Sequence, residues 1–479
     1  MSVENELRAY MRRPQRHRLL HGYPLAAAMP SADHLGPHDE VAFGEAPDRK
    51  LIVGVLPHPF CNPAVTGCGF CTFPHEPGNS TKTTPVVEQV SDEVKMANPR
   101  LFKHPVTALY FGGGTANLCE PEPFRELCDT LEFALDVRDA EVTLEGVPAY
   151  FLTGKPRLAE VMRDTLKARH FRLSMGVQTF DEARLKQMGR AAFGTPDTFR
   201  RVVEYAHKLG FTVSGDLLFN LPGQTLPEML ADVRRAIDIG LDHIGLYHLV
   251  MFRGLGTPWA KDEELLDALP ENERACENWL ALRERLLAAG WVQTSLTNFE
   301  PARFRNQPQR YQYEECSFQP DRFDAIGFGP SAASYAASAD FAHGVKTMNP
   351  TSAEAYTAAV KGGTRVWDRC FGYKAHDQKV FWLTRRLAAL DIDRFRYRGL
   401  FGQDALDDFP TRLDVLRAEK LIDVTPDAIR PTPRGMFYSD SIAALLAAEA
   451  IRANRLQVRT RPALVRDSRE NNAGFSPMG

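Results

Sequence analysis

The sequence predicts an α/β protein: a partial parallel (β/α)6 TIM-like barrel followed by a small C-terminal α+β domain of winged-helix-like character. Three observations carry this. Apolar runs that read as buried strands recur six times between Leu51 and Leu249. Segments with helical spacing separate them, the alternation that builds a parallel sheet. Glycines, cysteines and polar residues gather at or just after the ends of those runs, where parallel barrels assemble their chemistry.

Composition sets the bounds. A chain of 479 residues has room for two or three domains. Its 44% hydrophobic and 25% charged content is that of an ordinary globular protein. A formal net charge of −3 offers no electrostatic footprint for nucleic acid or an anionic membrane. No apolar run approaches the ~20 residues of a membrane span, and Met1 to Leu20 has no apolar signal core. The expected location is the cytoplasm, where thiols stay reduced.

Residues 1–50 read as an N-terminal arm with a basic cluster of Arg12, Arg13, Arg16, His17 and Arg18. A solvated arm explains that cluster; a cradle for substrate carboxylates is the sharper alternative. The barrel is expected over 51–300. Its first strand, Leu51 to Leu56, runs into a loop holding Pro57, Pro59, Pro63 and Gly67, too rich in breakers for helix or sheet. That loop carries Cys61, Cys68 and Cys71, three of the chain's eight cysteines. Three thiolates can bind three irons of a cubane cluster and leave the fourth open. A structural zinc site is the rival, with His58 or His75 as fourth ligand, and unrelated thiols are the third possibility.

A helix is expected from Thr84 to Ala97, with Pro85 near its start and Val86, Val87, Val90 and Val94 on one face. The second strand, Val106 to Phe111, leads directly into Gly112, Gly113, Gly114 and Thr115. A glycine run lets backbone approach a ligand closely; a tight β-to-α turn is the plainer explanation. Further strands are expected at Ala140 to Leu144, ending at Glu145; Phe171 to Gly176, ending at Gln178; Phe211 to Phe219, containing Asp216; and His243 to Leu249, containing Tyr247. Helices fill the intervals, among them Glu122 to Phe133 and Thr225 to Ile239. A long helix from Pro270 to Ala289 and a strand from Trp291 to Leu296 follow.

Residues 301–364 read as a bridging extension. Their first part is rich in Arg, Gln and aromatics and includes Gln319. The glycines of Phe323 to Ser331 suggest another close ligand approach. Residues 365–455 form the expected C-terminal domain, with helices around a hairpin of Leu421 to Val424 and Ala428 to Pro431. Lacking basic character, it reads as a lid over substrate. Residues 456–479 are charged, lack a periodic apolar face, and are expected to be disordered.

Together these motifs resemble the radical S-adenosylmethionine (SAM) superfamily and, within it, the oxygen-independent coproporphyrinogen III oxidase (HemN-like) family. The carrying residues are Pro59-Phe60-Cys61, Phe70-Cys71, Leu109 to Thr115, Glu145, Arg172 to Gln178, Arg190, Asp216 to Thr225, and Ile326 to Gly329. The likeness runs from about Leu51 to Leu446. It implies a [4Fe–4S] cluster on Cys61, Cys68 and Cys71, with SAM on the open iron and, as in many members, a second SAM nearby. It implies that Phe70 lies near the adenine, that Gly112 to Thr115 face the methionine end, and that Glu145, Gln178, Arg190 and Asp216 contact SAM. A flavodoxin or ferredoxin type of electron donor is implied as partner.

The sequence departs from the family in three places. Six residues separate Cys61 from Cys68, where the family usually has three. Phe73 stands where the oxidase often has a further cysteine, and Asn220 replaces the usual glycine before Leu-Pro-Gly. These departures point to a divergent member. The expected activity is methyl or methylene (C1) transfer from a second SAM to an unsaturated or aromatic small molecule. The alternatives are oxidative decarboxylation of porphyrinogen propionates, for which Arg303, Arg305 and Arg310 are candidate partners, and a haem-binding carrier. Tyr247 and Gln319 are the candidates for catalytic contacts with the aromatic or tetrapyrrole substrate.

Overall fold

The computed structural model describes residues 2–15, 22–31, 48–61, 68–97, 101, 103–363 and 365–459. Its centre is a sheet built first from six strands: β1 Lys50–Val55, β2 Val106–Phe111, β3 Glu141–Gly146, β4 His170–Gln178, β5 Thr212–Phe219 and β6 His243–His248. Then come β7 Trp291–Gln293, β8 Asn298–Pro301, β9 Phe323–Phe328, β10 Ala333–Ala337, β11 Gly344–Met348 and β12 Arg369–Tyr373. The spatial order is β12-β11-β10-β9-β1-β2-β3-β4-β5-β6-β8-β7. Strands β1 to β6 lie in sequence order and are parallel throughout, as the partial barrel requires. Their Val, Ile and Leu content suits strands packed on both faces; Leu51, Ile52, Val53 and Val55 are all buried.

The sheet extends beyond the six expected strands. The glycine-bearing stretch 323–328 is a seventh parallel strand, β9, paired with β1 from Lys50↔Phe323 to Val55↔Phe328. Its glycines admit chain rather than ligand. A Cβ on Gly329 would fall 1.9 Å from the Leu56 carbonyl oxygen, and one on Gly327 would fall 2.5 Å from that of Ala333. At the other edge the expected strand at 291–296 is shorter, β7 ending at Gln293, and it forms a hairpin with β8, a strand beyond the expected one that lies antiparallel to β6.

The first helix begins earlier than its valines suggested, at Ser80, because Asn79 caps it: the side chain accepts from the Lys82 amide at 3.3 Å. Val86, Val87, Val90 and Val94 are its buried face. Deeper in the same helix, the Glu93 carboxylate accepts from Tyr356 Oη, Gly329 N and Asn349 Nδ2, each at 2.7 Å. This node fastens the end of β9 against Leu56, where the chain enters the cysteine loop.

Past β12, helices Ala375–Ala388, Arg394–Phe401, Pro410–Ala418 and Ser439–Leu446 surround a three-stranded sheet of 392–393, 428–431 and 422–424. The N-terminal helix Val3–Met11 packs on this region. Leu7 is fully buried, and Ser441 donates to Gln15 at 2.8 Å. Arg16, His17 and Arg18 of the basic cluster lie outside the described residues. Of the expected disordered tail, residues 456–459 belong to the helix Ala448–Arg459, and the remainder is also outside them. Among the described residues no helix is long and apolar enough to cross a membrane.

Candidate active site

The C-terminal ends of β1 to β5 converge on a cavity of about 200 Å³. Cys61, Cys68 and Cys71 line it, with Phe70, Gly113, Gly114, Thr115, Glu145, Gln178, Arg190 and Asp216. Residues scattered over more than 150 positions of sequence thus share one space, which is the outcome expected if strand ends build the site.

Each cysteine has its own support. Cys61 Sγ lies 3.2 Å from the Gly114 carbonyl oxygen and receives the Thr115 hydroxyl at 3.5 Å. Arg190 sets one guanidinium nitrogen 3.0 Å from Cys68 Sγ and the other 2.7 Å from the Gly176 carbonyl. The Cys71 amide closes a turn onto Cys68 O at 2.8 Å. Trp259 clamps that turn: its backbone amide donates to Gly69 O at 2.9 Å. A Cβ on Gly69 would sit 2.1 Å from the indole. The same indole meets the Phe70 ring edge-on at 5.9 Å. Burial raises the Cys61 thiol and pushes Cys71 up to about 12, so these groups are poor thiolates unless a cation takes the charge.

The two candidate zinc histidines differ. His58 is fully buried and accepts from the Phe60 amide at 3.1 Å, a brace within the loop. His75 lines the cavity. Among the described residues no three His, Cys, Asp or Glu side chains are grouped tightly enough to hold one ion. Three supported thiols spread around one cavity fit a cubane, which spans several atoms, better than a single zinc.

The glycine run acts through shape. Gly113 has φ +110°, a conformation few side chains tolerate. A Cβ on Gly114 would lie 2.8 Å from the carbonyl oxygens of Pro59 and Phe60, so the run packs under the cysteine loop. Gly112 leaves room for Glu145, whose Oε2 would be 3.0 Å from a Cβ there. Glu145 Oε2 also accepts from Tyr110 Oη at 3.1 Å. Burial raises Glu145 to about 7, and burial with repulsion from Glu145 raises Asp216 to about 8. Gln178 has φ +68° at a register shift between β4 and β5; the bulge places it where both carboxyls are.

Those three residues, Glu145, Gln178 and Asp216, also line a second cavity of about 200 Å³, deeper in the sheet's concave interior. Tyr247 lines it, with Tyr110, Ser174, Ser214, His243, Asn298 and Tyr311. Gln319 lines neither cavity; its Nε2 donates to the Glu315 carbonyl at 3.1 Å. Arg305 pairs with Glu300 and Glu315, Arg310 with Glu315, and Arg303 with Asp242, so acids of this chain occupy them. Below the inner cavity Arg172 pairs with Glu141 at 3.1 Å, both side chains essentially without exposure.

Sequence reasoning missed most of the inner lining. Tyr110 and Ser174 stood inside quoted motifs without a role. Ser214 sits two before Asp216 and His243 four before Tyr247, the period-2 positions of one strand face. Asn298 and Tyr311 come from a stretch with no pattern. Asn298 is 1% exposed and His243 is 3% exposed, and neither amide atom of the one nor ring nitrogen of the other has a hydrogen-bond partner. Such groups cost about 1–3 kcal/mol each when left unsatisfied.

Residues 55–236 match the radical SAM superfamily. That stretch of the chain is a radical SAM domain by this match. A radical SAM domain implies a [4Fe–4S] cluster and SAM, and the three-thiol cavity fits them. The radical SAM chain is 31% identical to anaerobilin synthase of Escherichia coli O157:H7 over 222 residues, 46% of this chain and 47% of that protein. It thus spans about half that relative's length. It is 23% identical to the heme chaperone HemW of Bacillus subtilis over 400 residues, 80% of this chain and 96% of that protein. Coproporphyrinogen III oxidase (HemN) from Escherichia coli superposes with a TM-score of 0.69 at 19% identity, covering 87% of this chain and 96% of that one, which shows the shared fold. The chain thus carries a radical SAM domain and is similar, at a distance, to HemN and HemW.

Proposed function

We propose that this protein is a radical SAM enzyme of C1 transfer, moving a methyl or methylene group from a second SAM to an unsaturated or aromatic small molecule. The observation that carries this is the pair of adjoining cavities meeting at Glu145, Gln178 and Asp216, one for the cofactors and one for the acceptor. Cys61, Cys68 and Cys71 would hold the cluster, and Arg190 would offset charge at Cys68. Phe70 and Gly112 to Thr115 would border the first SAM. When bound, cluster and SAM supply a 5′-deoxyadenosyl radical once an electron arrives from a flavodoxin or ferredoxin type of donor. Glu145 and Asp216, held up to about 7 and about 8 by burial, would hold or release a proton at the seam. Tyr247 would contact the acceptor. The C-terminal region from about 365 to 455 would cover the barrel, with Phe437 against His248 at 5.2 Å where β6 ends.

The test is anaerobic. Protein is reconstituted with iron and sulfide, given dithionite, SAM and a panel of unsaturated and aromatic acceptors with a porphyrinogen among them, and its products are read by mass spectrometry. 5′-Deoxyadenosine with S-adenosylhomocysteine is expected. 5′-Deoxyadenosine alone moves the assignment to decarboxylation. None from cluster-loaded protein overturns the enzyme reading in favour of a haem carrier. That second reading has support in a match covering 96% of HemW, and haem titration tests it directly.

A further inference from the structure

The inner cavity has a chemical bias that narrows its ligand. His243 and Tyr247 are alternate residues of β6, and Asn298 on β8 pairs with the intervening Gly245. Gly245 must be bare: a Cβ there would lie 2.6 Å from Asp216 Oδ1 and 2.7 Å from the Tyr247 ring. The Asp216 carboxyl thus lies over Gly245, beside Asn298. All of Asn298's amide capacity and both His243 nitrogens are unpartnered and buried. An amide supplies donors and acceptors from one plane, and a neutral imidazole supplies one of each.

Charge points the same way. The cavity's ionisable lining includes the carboxyls of Glu145 and Asp216 and contains no lysine or arginine. The nearby Arg172 is neutralised by Glu141, and Arg190 is committed to Cys68 and Gly176. A ligand carboxylate would be desolvated here without a counter-charge. At about 200 Å³ the space is below the roughly 300–1,000 Å³ of pockets for drug-sized ligands, which suits one or two rings and not a whole macrocycle.

We propose that the inner cavity selects an uncharged one- or two-ring compound bearing an amide- or lactam-like edge, read by Asn298 and His243, and rejects the corresponding carboxylate. The proposal rests on the reading of this cavity as the acceptor's site. It makes Asn298 a specificity-determining residue, and its unsatisfied amide a feature kept for binding rather than for folding.

The experiment uses full-length, cluster-loaded, SAM-bound protein under anaerobic calorimetry. The probes are nicotinamide against nicotinate and pyrrole-2-carboxamide against pyrrole-2-carboxylate. At least one amide should bind about tenfold or more tighter than its acid, a gap of about 1.4 kcal/mol. Asn298→Leu should lose that affinity while its melting temperature stays level or rises, because no native hydrogen bond is broken. Asn298→Asp, nearly isosteric, should also lose it. Acids binding as tightly as amides, no amide binding at all, or Asn298→Leu and Asn298→Asp binding like wild type would each overturn the proposal. 5′-Deoxyadenosine measured on the same wild-type preparation reports separately on the radical SAM reading, so the two can fail independently.

Discussion

The outer and inner cavities have similar volumes and share three residues, yet they are made of different materials. The outer one is sulfur, glycine backbone and one guanidinium, with each part held by a neighbour: Cys61 by Thr115, Cys68 by Arg190, and Gly69 under Trp259. The inner one is, beyond the shared residues, hydroxyls, an amide and an imidazole, the last two with nothing to bond. A prebuilt, charged wall suits a fixed cofactor. A wall with unsatisfied amide and imidazole groups and no cation suits a partner that arrives and leaves. The contrast is one of commitment: the outer wall's groups are already engaged with one another, while Asn298 and His243 of the inner wall are left for a partner.

Three measurements would break or sharpen that contrast. The largest effect is expected from Cys68→Ser. It should abolish the cluster and its brown colour, seen as loss of bound iron and visible absorbance, while circular dichroism stays close to wild type. An iron-loaded variant that still cleaves SAM would remove the outer cavity's assigned role. Gly113→Val comes next. Forcing a β-branched residue to φ +110° costs about 1–3 kcal/mol, so SAM should bind roughly tenfold to a hundredfold more weakly by equilibrium dialysis, with iron content retained. Unchanged SAM affinity would detach the glycine run from the cofactor.

The smallest effect concerns the seam. Asp216 is held up to about 8 and Glu145 to about 7 by burial, and by their mutual repulsion in the case of Asp216. The folded protein keeps protons that the unfolded chain releases near pH 4. The stability tied to these groups is therefore full below about pH 4 and is lost as pH rises through about 7 to 8. Asp216→Asn in cofactor-free protein should melt a few degrees higher than wild type near pH 8, the scale of about 1 kcal/mol. The gap should close toward pH 4 to 5. A pH-independent difference would mean that Asp216 does not titrate there.

Much of the fold was legible because parallel strands buried on both faces write themselves as apolar runs, and β1 to β6 each did so. β9 was not legible. Phe323-Asp324-Ala325-Ile326-Gly327-Phe328-Gly329 carries the glycines of a ligand loop, and only the distance from Gly329 to Leu56 shows that they make room for chain. Asn220 is a similar case. It stands where a glycine was expected, and at φ +60° it adopts the left-handed region that Asn tolerates better than most. Its amide is held by Ala275 O at 3.4 Å and Asn278 Nδ2 at 2.7 Å. Gln319 looked eligible from its surroundings in sequence, but its helix turn faces it to Glu315.

The sequence by itself determined the alternating α/β order, the three cysteines of one loop, the glycine run, and the residues at strand ends. These are local properties: periodicity, turn chemistry and spacing act over a few residues and leave a readable trace. Only the tertiary structure decided that β9 closes beside β1, that Trp259 clamps the cysteine loop, and that Ser174, Ser214, His243, Asn298 and Tyr311 face one space. Those depend on which strand neighbours which. That choice is made by packing free energy over the whole sheet, to which no short stretch of sequence gives the key.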